Sequence, residues 1–139
     1  MFFGENYLTL ERWLSYYYQI KETMNVIKKV LAEANELHEL KILEVGVGNR
    51  ILYSFIKNWL TAENVKFKYT TVDIDPELKP DIVGDIRKIM LKEKVDVILA
   101  FQVLEHIPFQ DVRSVMKKLK SCVIIMWLCQ FLTYLYIFL

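Results

Sequence analysis

The sequence predicts an α/β fold in which helices cover a doubly wound, mostly parallel sheet of about five strands. Short runs rich in β-branched residues alternate with segments whose apolar residues recur every three or four positions. The run at 95–101 is apolar except for Asp96, a pattern typical of strands buried on both faces of a parallel sheet. The length, 139 residues, suits one domain.

The composition excludes some kinds of partner. With 18 basic and 17 acidic residues, the chain has no charge excess that would favour nucleic acid. Cys122 and Cys129 lie in an apolar tract without metal-ligand spacing, so we expect buried, reduced thiols. The N-terminus lacks a basic start followed by a sustained apolar run. A cytoplasmic location is therefore expected.

The first 40 residues are predicted to form an N-terminal helical cap. Apolar residues in 7–39 follow helical spacing without a proline or glycine, and the early part of this pattern consists of Leu10, Trp13, Leu14, Tyr17 and Tyr18. Asn6 is a candidate N-cap, and Thr23 is a candidate start for a second helix. Two interpretations of the aromatic cluster Trp13, Tyr16, Tyr17 and Tyr18 stay open: core with an amphipathic rim, or a lid over a ligand pocket.

The stretch 41–50 is predicted to be a buried strand followed by a glycine-containing turn. Ile42, Leu43 and Val45 surround one acid, and Gly46 and Gly48 follow directly. Glycines at such a corner allow a tight turn and a close approach of backbone to ligand. This stretch has the form of a nucleotide-binding turn.

The segments after this turn continue the alternation. Residues 51–60 have helical apolar spacing, and 66–73 alternate and are rich in β-formers. Residues 81–85 are predicted to be a short third strand or turn, and 86–93 a brief helix. The fourth strand is 95–101, and 111–119 is the next helix, with Pro108 suited to its start.

The C-terminal segment allows two assignments. Residues 122–139 contain no charge, and eighteen such residues are enough for a membrane-spanning helix. Alternatively, 122–126 form a fifth buried strand and leave 127–139 as an apolar tail. We favour the strand, which gives a core at 41–126 with the tail as a possible contact to a membrane or a second copy.

Polar residues cluster at the predicted carboxyl ends of the strands. Glu44 and the glycines follow the first strand, Asp73 and Asp75 the second, Asp85 the third, and residues 102–106 the fourth. Parallel α/β sheets bind ligands at this edge, where the strand order reverses. An acid at the end of the second strand can accept hydrogen bonds from both ribose hydroxyls.

In this order and spacing, the motifs resemble those of the class I S-adenosylmethionine-dependent methyltransferases, which have a Rossmann-like fold. They are most similar to the small-molecule "type 11" group, over residues 41–125. The matching motifs are Leu43-Glu44-Val45-Gly46-Val47-Gly48, Val72-Asp73-Ile74-Asp75-Pro76, Gly84-Asp85-Ile86 and Val103-Leu104-Glu105-His106-Ile107-Pro108.

The resemblance implies that S-adenosyl-L-methionine is the cofactor. The cofactor-binding residues that it implies are Glu44, Gly46, Gly48, Asp73, Ile74, Asp85, Ile86, Phe101 and Gln102. The first motif would line the methionine part and Asp73 the ribose, while Asp85 would accept from the adenine amine. Ile86 would cover the adenine face, and Phe101 and Gln102 would form the pocket floor.

The acceptor side of the site is less defined. A small-molecule acceptor is expected, and His106 is the candidate general base. Some methyltransferases place Glu-x-x-Glu-His at this location, but Gln102 replaces the first acid here, so we expect no metal. Arg50 stands where the family loop has its last glycine. The family also has two strands after the fifth, so a truncated or altered C-terminus is expected.

Three functional hypotheses remain open from the sequence. The chain is an active methyltransferase, a domain that only binds the cofactor, or a membrane-tethered protein without catalysis. A dinucleotide-binding domain of the NAD type is a further alternative, although Ile51 stands where its third glycine is required.

Overall fold

One parallel sheet organises the part of the chain that the structure describes. A computed structural model describes residues 9–34 and 39–123. Within these ranges the strands are β1 (Leu40–Val45), β2 (Phe67–Asp73), β3 (Ile82–Val83) and β4 (Val97–Ala100), in the spatial order β3-β2-β1-β4. The strand order reverses between β1 and β4, which confirms the predicted doubly wound α/β fold.

The register of the sheet brings the strand ends to one edge. β1 pairs in parallel with β2 and β4, and Val45 lies opposite Val72 on one side and Ala100 on the other. On β2, Asp73 lies opposite Val83 of β3. The loops that follow these strands therefore leave the sheet side by side.

The N-terminal segment is one helix, α1 (Leu10–Glu33). Its N-cap is Thr9, whose hydroxyl accepts a hydrogen bond from the backbone N–H of Arg12 at 3.4 Å. The prediction that Thr23 starts a second helix is wrong, because Thr23 is buried in the middle of α1. The other predicted cap, Asn6, lies outside the described residues.

The early apolar stripe of α1 faces solvent. Trp13 and Tyr17 are 52% and 57% exposed, so the interpretation of this cluster as core is wrong for them. The buried positions instead include Gln19, Thr23 and Val26. At about 100° per residue these lie on the opposite side of the helix from Trp13 and Tyr17. In the first half of α1 the apolar stripe is therefore exposed, while Gln19 and Thr23, two of the buried positions, are polar.

Two helical layers enclose the sheet. On one face, α1 and α2 (Ile51–Ala62) pack on β1 and β4 through a cluster that includes Ile27, Ile42, Ile56 and Leu99. On the other face, α3 (Phe109–Cys122) covers the same strands through Val115 and Leu119. The predicted helices at 51–60 and 111–119 are confirmed and are slightly longer than expected.

The brief helix predicted at 86–93 is wrong. This segment makes a single turn and then runs without regular structure towards β4. The carbonyls of Ile86, Arg87 and Ile89 accept hydrogen bonds from Nζ of Lys118 at 2.8–3.0 Å. A lysine of α3 thus satisfies carbonyls that a longer helix would pair with its own backbone.

The predicted fifth strand falls largely outside the described residues. Cys122, its expected first residue, is the last residue of α3 and is a half-buried free thiol. Val123 forms a parallel bridge with Val95. Residues 124–139, and with them Cys129 and the apolar tail, lie outside the described ranges. Within those ranges, no helix is long and apolar enough to cross a membrane.

Candidate functional site

A cleft opens at the carboxyl edge of the sheet, between the loops that follow β1, β2, β3 and β4. Its volume of about 430 Å³ lies within the usual range for small-molecule sites. Of the ten residues proposed from the sequence, nine line this cleft: Gly46, Gly48, Asp73, Ile74, Asp85, Ile86, Phe101, Gln102 and His106. Glu44 does not line it.

Residues 46–50 form the loop after β1, which we call the glycine loop. Its two glycines serve different purposes in the structure. Gly46 has φ +81°, and a Cβ at this position would overlap Cγ2 of Val103. Gly48 also has a positive φ, +52°, but a Cβ there would meet nothing within 4 Å. Gly46 therefore allows close packing within the protein, while Gly48 leaves open space beside the cleft.

Asp73 joins the glycine loop to the end of β2. Its Oδ2 accepts a hydrogen bond from the backbone N–H of Val47 at 2.8 Å, and Oδ1 accepts from that of Asp75 at 3.0 Å. A carboxylate has about four acceptor positions, so each oxygen keeps one for a ligand. Asp73 is thus a structural link that still offers two acceptors towards the cleft.

Glu44 lies on the face of the sheet that α1 and α2 cover. Its side chain is 3% exposed, and Oε2 accepts a hydrogen bond from the hydroxyl of Tyr69 at 2.9 Å. Burial raises the pKa of Glu44 to about 7, although the Tyr69 hydrogen bond and the charge of Arg50 oppose this shift. The alternation of β1 points Glu44 away from the cleft, which the resemblance alone did not reveal.

The carboxylate of Asp85 is already engaged by Arg87. Both Asp85 oxygens accept from the guanidinium, with the shortest distance, 2.6 Å, from Nη2 to Oδ2. These hydrogen bonds hold the pKa of Asp85 at about 2. Nη1 of Arg87 also lies 3.4 Å from Oδ2 of Asp111 on α3. An adenine amine at Asp85 would have to share this carboxylate with Arg87.

Apolar side chains form part of the cleft wall. Ile86 is buried, and Phe101, which directly follows β4, is half-buried. The next residue, Gln102, is exposed and has φ +55°, a backbone conformation that is uncommon for a residue with a side chain. Such outliers cluster at ligand sites, where the surrounding structure holds them.

His106 lies at the mouth of the cleft. Its side chain is 80% exposed, and Nε2 lies 3.7 Å from Oε1 of the neighbouring Glu105. It ends a short 3₁₀ helix, Leu104–His106. In the described part of the chain, no group of three or more His, Cys, Asp or Glu side chains is placed to hold a metal ion.

The sequence reasoning missed several residues of the cleft and its surroundings. Arg87, Val103 and Ile107 line the cleft, and Tyr69 bonds Glu44 from the neighbouring strand. The position of Arg87 two residues after Asp85 was a local signal for its ion pair. The partnership of Glu44 and Tyr69 had no such signal, because it depends on the register of two strands.

A doubly wound sheet with a glycine loop and an acid at the end of β2 is typical of α/β domains that bind nucleotide cofactors. A family model described as "Methyltransferase domain" matches residues 13–124. The chain therefore belongs to this methyltransferase family, which generally uses S-adenosylmethionine.

Solved structures of two carbon methyltransferases share the fold. The DszA carbon methyltransferase is 17% identical, with a TM-score of 0.61, and the match covers 81% of this chain and 34% of that one. The CMeT domain of the citrinin polyketide synthase is 19% identical, with a TM-score of 0.51, and the match covers 62% and 27%. The chain thus spans about a third or less of either structure. No curated protein matches it, and the matches lend no support to the dinucleotide-binding alternative.

Proposed function

We propose that the chain binds S-adenosyl-L-methionine in this cleft and transfers its methyl group to a small-molecule acceptor. The observation that carries the proposal is Asp73, an acid at the end of β2 that is bonded to the glycine loop and keeps free acceptor positions. The methyltransferase family model supports the same cofactor.

The cleft has the chemical features that this cofactor requires. Asp73 offers two acceptors for the ribose hydroxyls. Ile86 and Phe101 supply apolar surface for the adenine ring, and the open space beside Gly48 admits the rest of the ligand. A volume of about 430 Å³ suits a ligand of nucleoside size.

The bound cofactor would supply an electrophilic methyl group on a sulfonium. Because methyl transfer is a direct displacement, the protein contributes orientation and exclusion of water rather than a covalent nucleophile. His106 would accept a proton from a hydroxyl or amine acceptor at the mouth of the cleft, where its exposed imidazole lines the opening.

Calorimetric titration with S-adenosylmethionine and S-adenosylhomocysteine tests the cofactor. We expect both to bind at one site per chain. Failure of either to bind folded protein would refute the proposal.

Turnover with a radiolabelled methyl donor and a panel of small hydroxyl, amine and carbon acceptors tests the reaction. His106→Ala should leave cofactor affinity unchanged and lower transfer to hydroxyl or amine acceptors by about 100-fold or more. Binding without transfer to any acceptor would assign the chain to cofactor binding alone.

A further inference from the structure

Arg50 occupies the corner between the glycine loop and α2 in a backbone conformation that suits glycine. Its φ is 61° and its ψ is 13°, and its side chain makes no cap hydrogen bond to α2. A Cβ disfavours this left-handed conformation. Contacts of the Arg50 side chain must therefore stabilise this unfavourable backbone conformation.

Those contacts reach the loop between β2 and β3. Nε and Nη2 of Arg50 donate to the carbonyl oxygen of Leu78 at 3.1 and 2.7 Å, and Nη2 also donates to that of Lys79. The guanidinium lies 5.3 Å from the ring centre of Tyr53 on α2. Leu78 ends a short 3₁₀ helix, Pro76–Leu78, so Arg50 pairs carbonyls that the helix itself leaves without partners.

A second link lies at the cleft, where the backbone N–H of Val47 donates to Asp73, the last residue of β2 before the β2–β3 loop. Arg50 itself is not among the residues that line the cleft. One link thus uses the carboxylate that faces the ligand, and the other uses a side chain outside the ligand space. A displacement of either loop would move Val47 relative to Asp73.

We propose that Arg50 is a positioning residue that clamps the glycine loop to the β2–β3 loop and so holds Asp73 and the loop amides in the geometry that the cofactor needs. This inference rests on the proposed function for its ligand. A guanidinium suits the task because its planar fork donates to two carbonyls at once, which a lysine ammonium does not reproduce with the same geometry.

The test compares Arg50→Gly and Arg50→Lys with the wild-type chain. Amide hydrogen exchange of the ligand-free protein reports on the two loops, and titration with S-adenosylhomocysteine reports on affinity. For Arg50→Gly we expect faster exchange confined to residues 46–50 and 76–81, and affinity weakened about tenfold, the equivalent of one good hydrogen bond. Arg50→Lys should lie between this variant and the wild type.

Asn64→Gly is the matched control. Asn64 also has a positive φ, 55°, but follows α2 at the opposite end from the cleft. This variant should change neither loop exchange nor affinity. Asn64→Gly therefore measures the effect of placing glycine at a position with a left-handed backbone conformation when no clamp is removed.

Two results would overturn the clamp. One is unchanged affinity in Arg50→Gly, whatever the exchange shows. The other is faster exchange throughout the sheet, which would indicate general destabilisation rather than positioning. If the wild-type chain binds no cofactor, the proposed function fails, while loop exchange in the free protein still decides whether Arg50 holds the two loops together.

Discussion

The Oδ2 atom of Asp73 accepts a hydrogen bond from the backbone N–H of Val47 at 2.8 Å. The two residues are 26 positions apart in the chain, and their contact joins the loop after β1 to the end of the neighbouring strand β2. The acid therefore has two tasks: it shapes the glycine loop, and it presents acceptors to the cleft. Changes at Asp73 should affect both.

Asp73→Ala should weaken the binding of S-adenosylhomocysteine by about 1–3 kcal/mol, because it removes charge-assisted hydrogen bonds to the ribose. Calorimetric titration measures this loss. Asp75→Ala is the control, because Asp75 is exposed and its carboxylate only caps the following turn. Equal affinity of Asp73→Ala and the wild type would show that Asp73 does not hold the ribose.

Gly46→Ala and Gly48→Ala form a matched pair for the glycine loop. Both residues have a positive φ, but only at Gly46 would the added methyl overlap Val103. We expect Gly48→Ala to cost about 1 kcal/mol of unfolding free energy and Gly46→Ala about 1–3 kcal/mol more, since it also overpacks the interior. Urea denaturation measures both values. Equal losses would contradict the assigned contact.

Because of Glu44, the free energy of unfolding should depend on pH in the range between the pKa values of this carboxyl in the unfolded and folded states. Burial raises the pKa from 4.5 to about 7, so between these values the native state holds a proton that the unfolded state has lost. The contribution of Glu44 is fully present below pH 4.5 and is lost as the pH rises through 7.

The wild-type chain should therefore lose on the order of 3 kcal/mol relative to Glu44→Gln across this window. Urea denaturation of both proteins at several pH values gives the difference, and the other titrating groups cancel in it. If the difference in unfolding free energy between the two proteins does not change with pH, burial does not raise the pKa of Glu44.

Lys118→Met should destabilise the turn after Asp85. The ammonium donates to three carbonyls, those of Ile86, Arg87 and Ile89, and methionine leaves them without this donor. We expect a loss of about 1–3 kcal/mol in unfolding free energy, with faster amide exchange at 85–89. Lys117→Met is the control, because Lys117 is exposed on the same helix; it should change stability by less than about 0.5 kcal/mol. Comparable losses in both variants would argue against the carbonyl contacts.

Much of the fold could be predicted because its signals are local. The alternation of residues 66–73, the apolar run at 95–101 and the helical spacing of 51–60 each indicate their own element. The prediction of a helix at 86–93 was wrong, because Lys118, about 30 residues away, donates hydrogen bonds to the carbonyls of that turn. Apolar periodicity predicted the helix α1, but it could not show that Trp13 and Tyr17 stay exposed while Gln19 and Thr23 are buried.

The candidate site shows the same division. The acids and glycines at strand ends could be grouped from the sequence, since parallel strands end at one edge. Their partners could be predicted only in part. Arg87 lies two residues after Asp85, but the contacts of Val47 with Asp73 and of Tyr69 with Glu44 depend on loop paths and strand register. The roles in cofactor binding, the cytoplasmic location, and contacts of 127–139 with a membrane or a second copy stay predictions.

The sequence by itself determined most of the order of strands and helices, the position of the glycine loop and the family to which the chain belongs, because local pattern and spacing indicate each of them. Only the tertiary structure decided that Glu44 turns away from the cleft to meet Tyr69 and that Arg50 reaches the β2–β3 loop. These relationships join residues distant in the chain, and only packing and strand register bring such residues into contact.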